Sequence, residues 1–493
     1  MKDVPEIPNK GEFVESVVFA LFLGLIFWMP LPLGSNRPWA WSILEVGIFL
    51  LVGLYFLARM GEKKAFGKVF SDHPLEVFLW LAWILIPLLQ VVPMPTSLLS
   101  VFSQATVEVN RFCGLDGKSM TISLDKTVTL VEWLKYVTYF LAAFLVLAVV
   151  DTRDRLRKLT WVIFLSGVFQ AVFGMFVFFT GFVATWWLPD IQGSVHGTYV
   201  NRNHYAGLLE MSIPMGFGLL LGWMRSSEVQ RNFRESLLWV LRNLSSRNGV
   251  VSALLVLMFL ALFLSTSRGG NIALIVALLT VVALAFLRRR RSNREKRLVL
   301  PVVVAALIAG GWMGLGLLAD RFKGSFIEHS GRIEVHVGTI EMVEHYPVLG
   351  TGSGTFKYVF PIYRTEKVQK FNDHSHNDFL EILATQGVIG FSLFGTSLAA
   401  SWLAMIRRYL RRRDPFARGV LFAALAGSFS LSIHGLVDFN LQIPANACYF
   451  WILIAMGLQA SVVPRAAIHE SQKKRRREKA LLFPSELSRR ENT

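Results

Sequence analysis

The stretch LTWVIFLSGVFQAVFGMFVFFTG, residues 159–181, contains no Asp, Glu, Lys or Arg, and it is as long as the roughly 20-residue helix that crosses about 30 Å of hydrocarbon. In water such a surface would have to be covered. In a bilayer it needs no cover, and a helix satisfies every backbone polar group within the segment. Similar runs recur along the chain near 13–31, 39–58, 75–92, 129–150, 204–224, 249–266, 270–287, 298–318, 379–406, 419–437 and 447–463. Composition agrees, with 53% hydrophobic residues in a chain of 493 and a mean hydropathy of +0.47. The expected fold is an all-α polytopic membrane protein of about 12 transmembrane helices. A soluble enzyme and a disordered chain are both excluded.

A formal net charge of +17 would suit nucleic acid, so the placement of the charge decides its meaning. With Met1 in the cytoplasm, RRRRSNREKR (288–297), RRYLRRR (407–413) and KKRRREK (473–479) all fall on the cytoplasmic side. That is the positive-inside pattern. These runs therefore read as topology determinants beside anionic membrane lipids, with no nucleic acid partner and both termini inside. MKDVPEIPNKGEF lacks the short apolar core and small-residue cleavage site of a signal peptide, so the first run reads as a retained anchor. Cys113 and Cys448 have no metal-ligand spacing, and they form a disulfide only if the fold brings them together.

This topology divides the chain into three parts. Residues 1–195 hold the first five helices with an external loop at 92–132. Residues 196–463 form a second membrane region with a long external loop at 319–378, and 464–493 form a basic cytoplasmic tail. Within the long loop, GRIEVHVGTIEMVEHYP (331–347) carries Ile333, Val337, Ile340 and Val343 at helical spacing until Pro347 ends it. The helix lies on the membrane face or against the bundle. VLGTGSGTF (348–356) alternates glycines at 350, 352 and 354. Without a strand before it, a plain turn is expected there and not a phosphate loop.

Ionisable residues at a membrane edge cost several kcal/mol unless water, a counter-charge or a ligand meets them. Four clusters stand on the external side. GTYVNRNHYAG (197–207) holds Arg202 and His204, LSTSRGGNIAL (264–274) turns at Arg268, HSGRIEV (329–335) holds Arg332, and DHSHND (373–378) holds His374 and His376. Each has a plainer reading: lipid-headgroup contact for Arg268, a salt bridge to Glu334 or Glu341 for Arg332, local carbonyls for Arg202, and a structural role for His374. His434 and Asp438, four residues apart in SIHGLVDFNLQ, suit a helix-face hydrogen bond. Taken together, arginines offer planar donor forks for phosphate oxygens, and a histidine near neutral pH can accept a hydroxyl proton.

These motifs resemble the O-antigen ligase and O-antigen polymerase superfamily of bacterial envelopes. His376-Asn377, nine residues, then Gly387-Val388-Ile389-Gly390 looks like the family's His followed by Asn, Ser or Gln and a spaced Gly-x-x-Gly. The Ser-Arg-Gly turn at 267–269, the Asn-x-Asn-His at 201–204 and the long loop ahead of the histidines are similar too. The likeness spans roughly 195–450. It implies a GT-C-like membrane glycosyltransferase architecture in the inner membrane with its site facing the periplasm. It also implies transfer of a glycan from a polyprenyl (undecaprenyl) diphosphate donor to an acceptor hydroxyl, on a lipid A core for a ligase or on a growing glycan for a polymerase. The chemistry implied is metal-independent and inverting, with no cofactor. His376 would then be the base with Asn377 beside it, Arg268, Arg332 and Arg202 the diphosphate ligands, and His374, His204 and Asp438 supporting residues. Arg202 stands where the family pattern is variable. A transporter of lipid-linked glycans is the alternative from another class.

Overall fold

The computed structural model describes residues 10–60, 69–115, 117–182, 193–223, 246–286, 326–368 and 371–463. Several helices begin where the sequence punctuates them. Proline, whose fixed φ suits the first helical turn and whose missing N–H costs nothing there, opens α2 (Pro38–Ala58), α3 (Pro74–Val91), α14 (Pro415–His434) and α15 (Pro444–Val462). Side-chain caps open others. Asp125 accepts from Val128 N at the start of α6 (Lys126–Val149), and Thr152 accepts from Arg155 N at the start of α7 (Arg153–Thr180). The remaining long helices are α1 (Lys10–Trp28), α8 (Arg202–Trp223), α9 (Arg247–Leu264), α10 (Arg268–Phe286), α11 (Phe326–His345) and α13 (Asp378–Arg411).

Ten of the described helices are long and apolar enough to cross a membrane, and the apolar part of α10, Arg268–Leu284, accounts for another of the expected spans. The expected span at 298–318 lies outside the described residues. Burial separates centre from rim. The apolar windows of α8, α14 and α15 are 89% buried, whereas those of α1 and α9 are 28% buried and leave the rest for lipid. Small residues bring the centre together: a Cβ on Gly419 of α14 would stand 2.2 Å from the Gly218 carbonyl oxygen of α8, so only glycine permits this backbone contact.

The segments 92–125 and 347–356 clasp each other. Residues 92–125 form strands β1 (Met94–Pro95) and β2 (Ser119–Met120), paired antiparallel, and the short helices α4 (Thr96–Phe102) and α5 (Gln104–Phe112). Leu124 N donates to Thr351 O at 3.0 Å, and Thr129 Oγ1 to Ser353 O at 3.0 Å. The turn at 350–354 is thus anchored, ahead of the short helix α12 (Phe356–Val359). Its amides are committed: Gly350 N to Tyr346 O, Gly352 N to Thr385 O, and Ser353 N to the Gln90 carboxamide oxygen. The plain-turn reading holds. Along α11 the stripe Ile333, Val337 and Ile340 faces outward, while Val335, Thr339 and Met342 pack inward.

Helix α13 is broken at Gly387, which takes φ 62° and ψ −174°. At the break the chain of 347–352 inserts its hydrogen bonds: Val388 N donates to Pro347 O, Ile389 N to Val348 O, and Thr351 N to Ala384 O. A Cβ on Gly387 would lie 2.3 Å from the Val348 carbonyl carbon. Gly387→Ala should therefore cost about 1–3 kcal/mol in backbone strain alone and detach the turn from the helix. The expected result is a lower melting temperature in detergent, and an unchanged melting temperature would refute the break as drawn.

Candidate active site

The connection between α14 and α15, residues 435–443, is where the polar side chains at this end of the bundle meet. Asp438, 1% exposed, receives Asn203 Nδ2 at 2.5 Å on one oxygen and faces His204 Nε2 at 3.5 Å with the other. Arg332 reaches across from α11, donating to Val437 O at 3.2 Å and lying 3.8 Å from the Asp438 carboxylate, with 38% of its side chain still exposed. Next to Asp438, the Phe439 ring touches three imidazoles. His374 stacks on it at 4.6 Å, and His204 and His376 meet it edge-on at 4.6 Å and 4.9 Å.

The histidine-bearing loop is held by the start of α13. Asn377 accepts from Phe379 N and Leu380 N, so its carboxamide caps the helix. Asp378, fully buried, accepts from Leu441 N and donates its own N–H to Gly435 O, which fastens the loop to the 435–443 connection. Glu381 holds the other side, with one oxygen 2.8 Å from His374 Nδ1 and the other accepting from Ser375 N. Between these anchors His376 adopts φ +56°. That left-handed conformation is uncommon for a residue with a Cβ and is typical of constrained sites.

The turn before α10 completes the arrangement. Arg202 NH1 donates to Thr266 Oγ1 at 3.0 Å, tying the start of α8 to the Ser267-Arg268-Gly269 turn. Thr266 also has φ +56°. The turn rests on a buried pair that sequence reading missed. His434 Nδ1 lies 2.6 Å from Glu210, whose second oxygen accepts from Ser430, and both members are within 1% of full burial. A Cβ on Gly269 would stand 2.8 Å from the His434 ring, and one on Gly270 would stand 2.8 Å from a Glu210 oxygen. Only a glycine pair lets the turn pack this closely on the Glu210 and His434 side chains.

Electrostatics follow from these contacts. Burial, reinforced by the Arg332 charge, pulls the His376 imidazole down to about 4, although Asp438 opposes the shift. His376 is therefore neutral at pH 7. Burial also pulls on His374, but the Glu381 carboxylate outweighs it and the net shift is upward. For Asp438 burial pushes upward, yet His204, His434 and Arg332 hold the carboxyl well below the usual range. Among the described residues no group of three or more His, Cys, Asp or Glu side chains could hold a metal ion.

Residues 253–395 match the family model described as O-Antigen ligase. Over this segment the chain is similar to the O-antigen ligase/polymerase superfamily, a family of glycosyltransferase-like membrane enzymes acting on a lipid-linked glycan and an acceptor. Helices and family match together indicate a multi-pass membrane protein. No curated protein matches the chain.

The matched segment contains Arg268, Arg332, His374, His376 and Asn377, while Arg202, His204 and Asp438 come from flanking residues. Several plainer expectations give way. Arg332 turns to Val437 and Asp438 and not to Glu334, which pairs with Lys367 at 2.9 Å. Arg202 meets a hydroxyl and not a local carbonyl. His434 and Asp438 do not pair through their side chains, because His434 points into the bundle toward Glu210 and Asp438 points outward toward His204. Cys113 and Cys448 are free thiols, one exposed and one buried. Glu210 did carry a readable signal, a lone carboxylate within an apolar span. Phe439 carried none.

Proposed function

We propose that the protein transfers a glycan from a polyprenyl diphosphate carrier to an acceptor hydroxyl at the periplasmic face, as a ligase acting on a lipid A core. What supports this reading above all is the meeting of Arg332, His204, His374 and His376 around Asp438 and Phe439, beside the Arg268 turn. Arg268 and Arg332, with Arg202 at the rim, bind the diphosphate and stabilise the charge that grows on it. His376 accepts the acceptor proton as the hydroxyl oxygen attacks the anomeric carbon. The bond from that carbon to the diphosphate oxygen breaks, its electron pair leaves with the lipid diphosphate, and attack from the opposite face inverts the centre. A neutral imidazole is the form this step needs, and the diphosphate charge beside it raises its basicity on binding. Asn377, as helix cap, fixes where His376 stands, and Glu381 does the same through His374.

Membrane placement fits the same scheme. At the end of α13 remote from His376, Arg408 and Arg412 bond to Ser461 and Val463, Glu15 pairs with Arg59 and Arg155, and Arg153 pairs with Asp414 at 3.2 Å. That arginine-rich end is the cytoplasmic one in this reading, which leaves the histidine end in the periplasm. The test is reconstitution with an undecaprenyl diphosphate glycan and a lipid A core acceptor in EDTA. Formation of the linked product with undecaprenyl diphosphate released is expected. Elongated donor without acceptor labelling would reassign the protein as a polymerase, and donor crossing vesicles unconsumed would make it a transporter.

A further inference from the structure

His336 stands one turn after Arg332 on α11, and residues four apart share a helix face. Arg332 points to Val437 and Asp438, and His336 lies against the backbone of Ser375 and His376. Nε2 of His336 and Nδ1 of His376 are both enclosed, and neither has a hydrogen-bond partner. An enclosed nitrogen without a partner is costly to leave unpaired. Two that border the same strained loop point to a bond that forms only when the site closes on substrate, since catalytic hydrogen bonds are often long in an empty site and tighten in the complex.

Tautomers fix the direction of that bond. A base that takes a proton through one ring nitrogen must carry its hydrogen on the other. With His376 accepting the acceptor proton at Nε2, its Nδ1–H needs an acceptor, and the nearby candidate is the His336 imidazole in its neutral form. His374 and His204 are already engaged with Glu381 and Asp438. Burial lowers both imidazoles from their ordinary value, the neighbouring Arg332 charge adding to it, while the backbone contacts to His376 and Ser375 oppose the shift at His336, so a donor facing an acceptor is available.

We propose that His336 is the positioning residue of the base: its Nε2 accepts the Nδ1–H of His376 as α11 settles on bound substrate, fixing ring orientation and tautomer. This inference rests on the reading of His376 given above and adds an orienting partner to it. The two sequence motifs, the arginine helix and the His-Asn loop, thereby become one device.

The experiment uses the purified full chain in nanodiscs, with an undecaprenyl diphosphate glycan as donor and a lipid A core acceptor. His336→Ala should lower kcat roughly 10- to 100-fold, the usual size of a lost orienting contact, with both KM values within about threefold. The acid limb of its pH profile should move to lower pH, because the imidazolium loses its acceptor. His336→Gln, whose side-chain carbonyl can accept the same hydrogen, should recover most of the rate. In a His376→Ala background the His336→Ala change should add nothing. Equal losses in the Ala and Gln variants with a fallen melting temperature would overturn the proposal, as would wild-type kcat in His336→Ala. If His376→Ala itself turns over normally, the reading of the base has failed instead.

Discussion

Replacing His376 by alanine will leave the protein in the membrane at wild-type abundance and lower transfer about 10²- to 10⁴-fold, the usual contribution of a positioned base. The side chain sits ahead of α13, outside the spanning helices, so insertion does not depend on it. Its backbone adds a complication, since φ +56° disfavours alanine. His376→Asn is the sharper probe, because asparagine tolerates this conformation and cannot serve as a base at neutral pH. Both variants should be equally inactive with melting temperatures separated by the alanine strain. A radiolabelled donor assay checks this, and turnover within threefold of wild type in the asparagine variant would remove His376 from the mechanism. The wild-type profile carries a matching signature. With the imidazole at about 4 in the empty site, kcat/KM for donor should stay level from neutral pH down to about 5 and fall as pH drops through about 4, because protonation removes the accepting lone pair. The limb in kcat should lie higher, since the bound diphosphate favours the imidazolium.

Arg332→Ala is expected to lower kcat/KM for the donor about 10²- to 10³-fold, the scale of one donor aimed at developing negative charge. Arg332→Lys should restore only part of this, since an ammonium keeps the charge and lacks the planar fork that grips two oxygens. The side chain is suited to the task because it is held loosely, by one carbonyl and a carboxylate 3.8 Å away, with its outer part open. Removing it also strips Asp438 of one counter-charge, but His204 and Asn203 remain, so the fold should survive. A melting temperature within a few degrees of wild type with kcat/KM for the donor intact would sink the assignment.

The spans were legible because the bilayer punishes polar backbone and charge over a fixed length, a constraint local to each segment. The clustered polar side chains were legible for a related reason: in sequence Arg332, His204, His374, His376 and Asp438 stand in or near the ends of apolar runs, where an idle charge beside lipid would be costly. What escaped was pairing over long separations. Glu210 and His434 meet across the bundle, and neither residue's neighbours in sequence announce the other. The stripe on α11 misdirects in another way. In water Ile333, Val337 and Ile340 would mark the buried face, yet they stay exposed, and Gly338, against the Tyr363 carbonyl, marks the inner one. Asn377 looked like a partner of the chemistry, and its carboxamide is occupied with Phe379 and Leu380 amides.

The site has a floor and a roof of different provenance. Asp438 and Phe439 hang from α14 and α15, among the most enclosed helices, whereas Arg332 and His336 descend from a segment clasped to the bundle by hydrogen bonds to the broken middle of α13. The two parts are therefore held by separate sets of contacts. Chimeras that trade 326–368 between relatives while keeping Arg332 and His336 should inherit the donor preference of the roof they receive, with the base still supplied by the host's His-Asn loop.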